Sequence, residues 1–76
     1  MLETFVFVAF VCALELNRDD CDANTADVIR PITAAAGKSE CEEEGQAFRF
    51  RHPTFAIEQG WTMRQVVYRC VRPAAL

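Results

Sequence analysis

The four cysteines carry the most evident chemistry in this chain. Cys12, Cys21, Cys41 and Cys70 follow the spacing C-x8-C-x19-C-x28-C. Thiols can bridge, bind a metal or attack a substrate. Structural zinc sites place cysteines in close pairs about two to four residues apart, and no such pair occurs. A C-x-x-C redox motif is also missing. An even number of widely spaced cysteines in so short a chain reads as disulfides, within one chain or between two, ahead of free thiols or a metal site. No metal and no cofactor is expected.

Other residues have partial signatures that fail on inspection. Gly37-Lys38-Ser39 resembles the end of a phosphate-binding loop, but the motif calls for a glycine where Ile32 stands. Asp20, Asp22 and Asn24 have the opening rhythm of a calcium loop. Its turn glycine is replaced by Thr25, and its closing bidentate glutamate by Pro31. His52 is the only histidine, and no nucleophile accompanies it in a recognisable motif; beside Pro53 it reads as the cap of a helix C-terminus. Arg49, Arg51, Arg64, Arg69 and Arg72 lie near Phe48, Phe50, Trp61 and Tyr68, a combination that can stack and neutralise a nucleic-acid strand. The chain is acidic overall, with net charge −3, and aromatics at these spacings serve a core, so no nucleic-acid partner is expected. The chain reads as a non-enzyme.

The elements holding these residues must come from 76 residues, enough for one domain, 1–76. A chain this short buries only about 60% of its unfolded surface, so disulfides or a partner surface must add stability. Six phenylalanines, Trp61 and Tyr68 provide bulky core material. Charge is divided along the chain. Residues 1–44 carry ten acids against three bases, net −7, and residues 45–76 carry five arginines against Glu58, net +4. Either the halves neutralise each other in the fold or acidic and basic surfaces of different molecules meet.

Phe5 to Leu14 is a continuous apolar run. No Lys or Arg precedes it and no small-x-small cleavage site follows, so it reads as a retained part of the fold, ordered from Met1, and not as a signal peptide. It is too short for a membrane helix, and no membrane span is expected. Phe and Val favour a strand, and both alternating sets are apolar: Phe5, Phe7, Ala9 and Val11 against Val6, Val8, Phe10 and Cys12. A strand apolar on both faces is central and covered twice.

Asn17 to Asp20 marks a turn. Thr25–Arg30 reads as a second strand ended by Pro31, in an edge position, and 33–38 as a small-residue loop. Ser39 and Glu42 form a capping-box pattern. Cys41, Gly45 and Phe48, widened by Ala47 and Phe50, then recur at helical spacing until His52-Pro53. Residues 54–59 suggest a further helical turn stopped by Gly60. Trp61–Arg72 reads as a third strand with Val66, Tyr68 and Cys70 on one face. The fold expected is α+β: a small disulfide-stapled β-β-α-β domain, its three-stranded sheet in the order 2-1-3 with one helix on one face. Cys12 ends the first strand just across a turn from Cys21. Cys41 opens the helix at the sheet end where the third strand finishes. The pairs expected are therefore Cys12–Cys21 and Cys41–Cys70.

The run Val11–Asp22, with Asp27–Arg30, a third cysteine entering a helix with Gly45-Gln46, and Gly60-Trp61 with Arg69-Cys70 near the end, resembles a group of short four-cysteine alphaproteobacterial or phage-encoded proteins. The likeness covers nearly the whole chain, but 54–59 is longer here. It implies a fold and a disulfide frame, and no activity.

One helix covers one face of the first strand, so the other face is expected to need a neighbouring molecule. Phe5, Phe7 and Val11, framed by Arg64, Arg69 and Arg72, form the expected interface with a protein partner or a homo-oligomer. The function expected is structural: an accessory subunit of a larger assembly, such as a virion decoration or cement protein. The alternative is a secreted or periplasmic binding module. Either setting is oxidising: extracellular or virion in the first case, periplasmic or secreted in the second.

Overall fold

The computed structural model describes residues 3–76; order at Met1 lies outside them. Three strands, β1 (Thr4–Cys12), β2 (Val28–Ala36) and β3 (Gln65–Val71), form one antiparallel sheet in the order β2-β1-β3. Helix α1 (Lys38–Arg51) and the short α2 (Phe55–Glu58) lie between β2 and β3 in sequence. This is the expected α+β arrangement, and the bridges are Cys12–Cys21 and Cys41–Cys70, as expected.

Burial of β1 follows its composition. From Phe7 to Cys12 every residue is buried, and Val8, Ala9 and Cys12 are fully enclosed. The odd-numbered face lies under α1. There Phe7 packs with Ala35 and Cys41, and Phe48 and Tyr68 close around them. Gly45 brings α1 against the Phe7 ring, because it has no side chain to hold the helix away.

Phe5, Phe7 and Val11, expected on the face left open, lie instead on the face that α1 covers, and the even-numbered face opposite is not open either. Residues 13–27 fold back across it. Cys21, bonded to Cys12, packs with Val8, Phe10 and Val67, and Leu16, Ala23 and Ala26 pack around this cluster. β3 holds the cover in place: the Gln65 amide donates to the carbonyl of Leu16 at 2.8 Å, and the Arg69 guanidinium donates to that of Arg18 at 3.0 Å. The second layer is therefore a loop. Its apolar residues are few and aperiodic, and a disulfide supplies the anchoring that a second helix would otherwise give.

Local boundaries differ from expectation at β2 and α1. Pro31 does not end the second strand, which runs on through the small residues to Ala36. Pairing with β1 shifts between Phe7↔Thr33 and Val8↔Pro31, leaving Ile32 as the extra residue of a bulge. Helix α1 starts at Lys38 with Gly37 at its N-cap, and no side-chain capping bond forms. Gly37 has φ 88°, a turn conformation open to glycine, and its N–H donates to the carbonyl of Glu3. Phe50, expected to widen the apolar stripe, is 88% exposed. At roughly 100° per residue it stands opposite Cys41 on the helix.

Candidate functional site

The sheet has two outer edges, and they differ. The β2 edge is interrupted by Pro31 and the bulge, devices that disfavour pairing with another chain. β3 pairs with β1 in unbroken register from Val6↔Val71 to Cys12↔Gln65 and contains no proline or glycine.

The ladder sets which backbone groups of β3 face outward. The carbonyls of Glu3 and Val11 accept from Gly37 and Asp27 on the β2 side. Backbone groups alternate along a strand, so odd-numbered residues of β1 bond toward β2 and even-numbered ones toward β3. Their partners on β3 are Gln65, Val67, Arg69 and Val71. The N–H and C=O groups of Val66, Tyr68 and Cys70 therefore point away from the sheet, and among the described residues they have no hydrogen-bond partner. Pro31 faces Val8, a β1 residue that bonds toward β3, so the missing proline N–H leaves the β1–β2 ladder intact.

Beside this open edge, α1 and β3 enclose a groove of about 540 Å³. Phe7 and Tyr68 contribute to its lining, their rings stacked 5.4 Å apart and 3° from parallel. On the helix side Lys38, Glu42 and Arg49 line it, with Gly45 between them. Arg49 lies over the Tyr68 ring, 5.0 Å from its centroid, a cation–π contact. Burial pushes the Tyr68 phenol above its usual pKa, and the positive charge of Arg49 partly opposes that rise.

The expected interface residues lie elsewhere. Phe7 is 5% exposed and Val11 1% exposed, so both belong to the core. Phe5 is half-buried, with Arg72 over its ring, and Arg72 also pairs with Glu3 at 2.8 Å. Arg64 pairs with Asp27. Arg69 is spent on the carbonyls of the 13–27 cover. These arginines thus join the basic half of the chain to the acidic half within one molecule. No protein family, curated protein or solved structure matches the chain.

The edge residues were not singled out from sequence, because an unpaired N–H leaves no trace in side-chain type. Two signals pointed that way: the lack of any strand breaker in 65–71, against Pro31 in β2, and the helical spacing of Lys38, Glu42, Gly45 and Arg49 on one flank. His52 occupies the C-cap position of α1, its backbone N–H donating to the Phe48 carbonyl at 2.8 Å and its ring lying 4.8 Å from that of Phe48. Asp22 accepts from the Asn24 N–H at 2.9 Å, a turn contact within the loop. No helix among the described residues is long and apolar enough to cross a membrane.

Proposed function

We propose that this chain is a non-enzymatic protein-interaction module of an oxidising compartment, which docks on a partner protein through the outer edge of β3. The observation that carries this reading is the row of outward backbone groups on Val66, Tyr68 and Cys70, in a regular strand with no proline, glycine or bulge. The two disulfides support the oxidising setting, extracellular or periplasmic. Both faces of β1 are covered by the chain's own residues. That favours a self-sufficient secreted or periplasmic binding module over an accessory subunit that needs its assembly in order to fold. A virion decoration or cement protein remains one setting for the same edge, and the likeness to short four-cysteine phage-encoded chains is compatible with it.

The test is a comparison of wild type with Val66→Pro. The N–H lost at this position points outward, so the ladder to β1 survives, and Gln65 before it is already extended. Both oxidised domains would be immobilised and exposed to extract of the native source. A partner held by wild type and lost from a folded Val66→Pro domain supports docking through the β3 edge. A partner retained equally by both refutes it.

A further inference from the structure

Docking through a sheet edge leaves the chemistry of the docked segment open, and the groove beside the edge narrows it. We propose that the partner presents an extended, acid-bearing peptide segment, which adds as a fourth strand along β3 and places alternate side chains in the groove between β3 and α1. This rests on the edge-docking reading above and goes beyond it by naming the ligand class.

Three observations converge. The first is geometric. A strand added to β3 engages the backbone groups of Val66, Tyr68 and Cys70, and its side chains then alternate between the two sheet faces. Those on the α1 face enter the groove, whose volume of about 540 Å³ accommodates more than one side chain. The half-buried Tyr68, backed by the Phe7 ring beneath it, offers the aromatic part of the wall for an apolar or aromatic residue.

The second is charge. Lys38 and Arg49 line the groove, and neither has a carboxylate partner among the described residues; Glu42 between them leaves the rim net positive. An Asp or Glu on the incoming strand would meet Lys38 or Arg49 in a charge-assisted contact.

The third weighs against the simplest competitor, a second copy of β3. Residues 64–72 contain Arg64, Arg69 and Arg72 and no acid. Arg64 and Arg72 already have carboxylate partners, but Arg69 has none among the described residues, and the register that centres two antiparallel copies on this residue sets Arg69 against Arg69, which is unfavourable for cross-strand neighbours. A strand with the opposite charge is favoured over a self-copy.

The probe is a displayed library of random linear peptides selected on the oxidised domain. Enriched peptides would then be titrated against wild type, Val66→Pro, Lys38→Glu and Arg49→Glu. Lys38 is exposed in the first turn of α1, where an acid suits the helix, so Lys38→Glu keeps the fold even if Arg49→Glu does not. The expected peptides alternate apolar or aromatic residues with polar ones and carry Asp or Glu. Their affinity falls about tenfold with Lys38→Glu, the scale of one lost charged contact, and is abolished by Val66→Pro. Selection on Lys38→Glu shifts toward basic peptides. Peptides that need Val66 but show no acid preference would overturn the ligand class and leave edge docking standing. Peptides indifferent to Val66→Pro would overturn edge docking itself. If no peptide is enriched, the ligand class fails and the native-partner comparison still decides docking. A wild-type dimer abolished by Val66→Pro would show a second copy to be the occupant and overturn the proposal.

Discussion

Gly45→Ala is expected to destabilise the domain, although alanine is the better helix former. A Cβ built on Gly45 lies 2.5 Å from Cδ1 of Phe7 and 3.0 Å from its Cζ, whereas carbon atoms rest about 3.5–4.0 Å apart. The ring would have to move by roughly 1 Å, and it has little freedom to do so. It is 5% exposed, stacked 5.4 Å from Tyr68, and set edge-on to Phe48 at 6.1 Å. Overpacking of this kind costs about 1–3 kcal/mol. Replacing a helical glycine with alanine returns about 0.8–1 kcal/mol. The net loss is centred near ~1 kcal/mol, which lowers Tm by about 4–8 °C in a domain of this size. Thermal melts followed by circular dichroism measure it. A cycle with Phe7→Leu isolates the cause: with the ring gone, the same Gly45→Ala change should be neutral or stabilising, giving a coupling of about 1–2 kcal/mol. A rise in Tm for Gly45→Ala alone, or zero coupling, would refute the packing of α1 on Phe7.

Two further outcomes follow from the same packing. Loop entropy alone assigns about 2.6 kcal/mol to Cys12–Cys21, with separation 9, and about 3.6 kcal/mol to Cys41–Cys70, with separation 29. Cys12–Cys21 also anchors the cover over Val8 and Phe10. Replacing that pair by alanine should therefore increase binding of a hydrophobic dye and cause self-association more than replacing Cys41 and Cys70 does; the reverse order would contradict the two-layer core. Tyr68 is the only tyrosine, so its absorbance titration is unambiguous. Burial raises its pKa, so the folded chain holds the phenolic proton more tightly than the unfolded chain does. Its midpoint should lie above the ordinary value of 10.0. Stability should decline as pH rises through that value toward the folded pKa. Arg49→Ala should move the midpoint further up; a downward move would contradict the Arg49–Tyr68 contact.

The legible parts of this fold are those written in side-chain periodicity. Two apolar parities placed the first strand at the centre, and Cys41, Gly45 and Phe48 marked the buried line of α1. The cysteine positions gave the bridges once the order of elements was in hand. Pro31 misled because a proline on an edge strand can face outward and sit at a bulge without ending the strand. The cover of residues 13–27 was hidden for a different reason: Leu16, Ala23 and Ala26 have no period, and a disulfide with two side chains of β3 holds them down. Reading Phe5, Phe7 and Val11 as the face away from the helix, and missing the cover on the other face, together turned a core strand into an expected interface. The open edge of β3 is a property of the backbone, and only the ladder reveals which groups face outward.

That alternation can be read amide by amide. Hydrogen exchange of the free oxidised domain, resolved by NMR, should show Val67, Arg69 and Val71 protected and Val66, Tyr68 and Cys70 exchanging fast, because only the first set bonds to β1. Adding a docked peptide should protect Val66, Tyr68 and Cys70 and leave the other three unchanged. Uniform protection across β3 in the free monomer, or no added protection at the three outward amides when a ligand is bound, would contradict the claim that this edge is where the protein works.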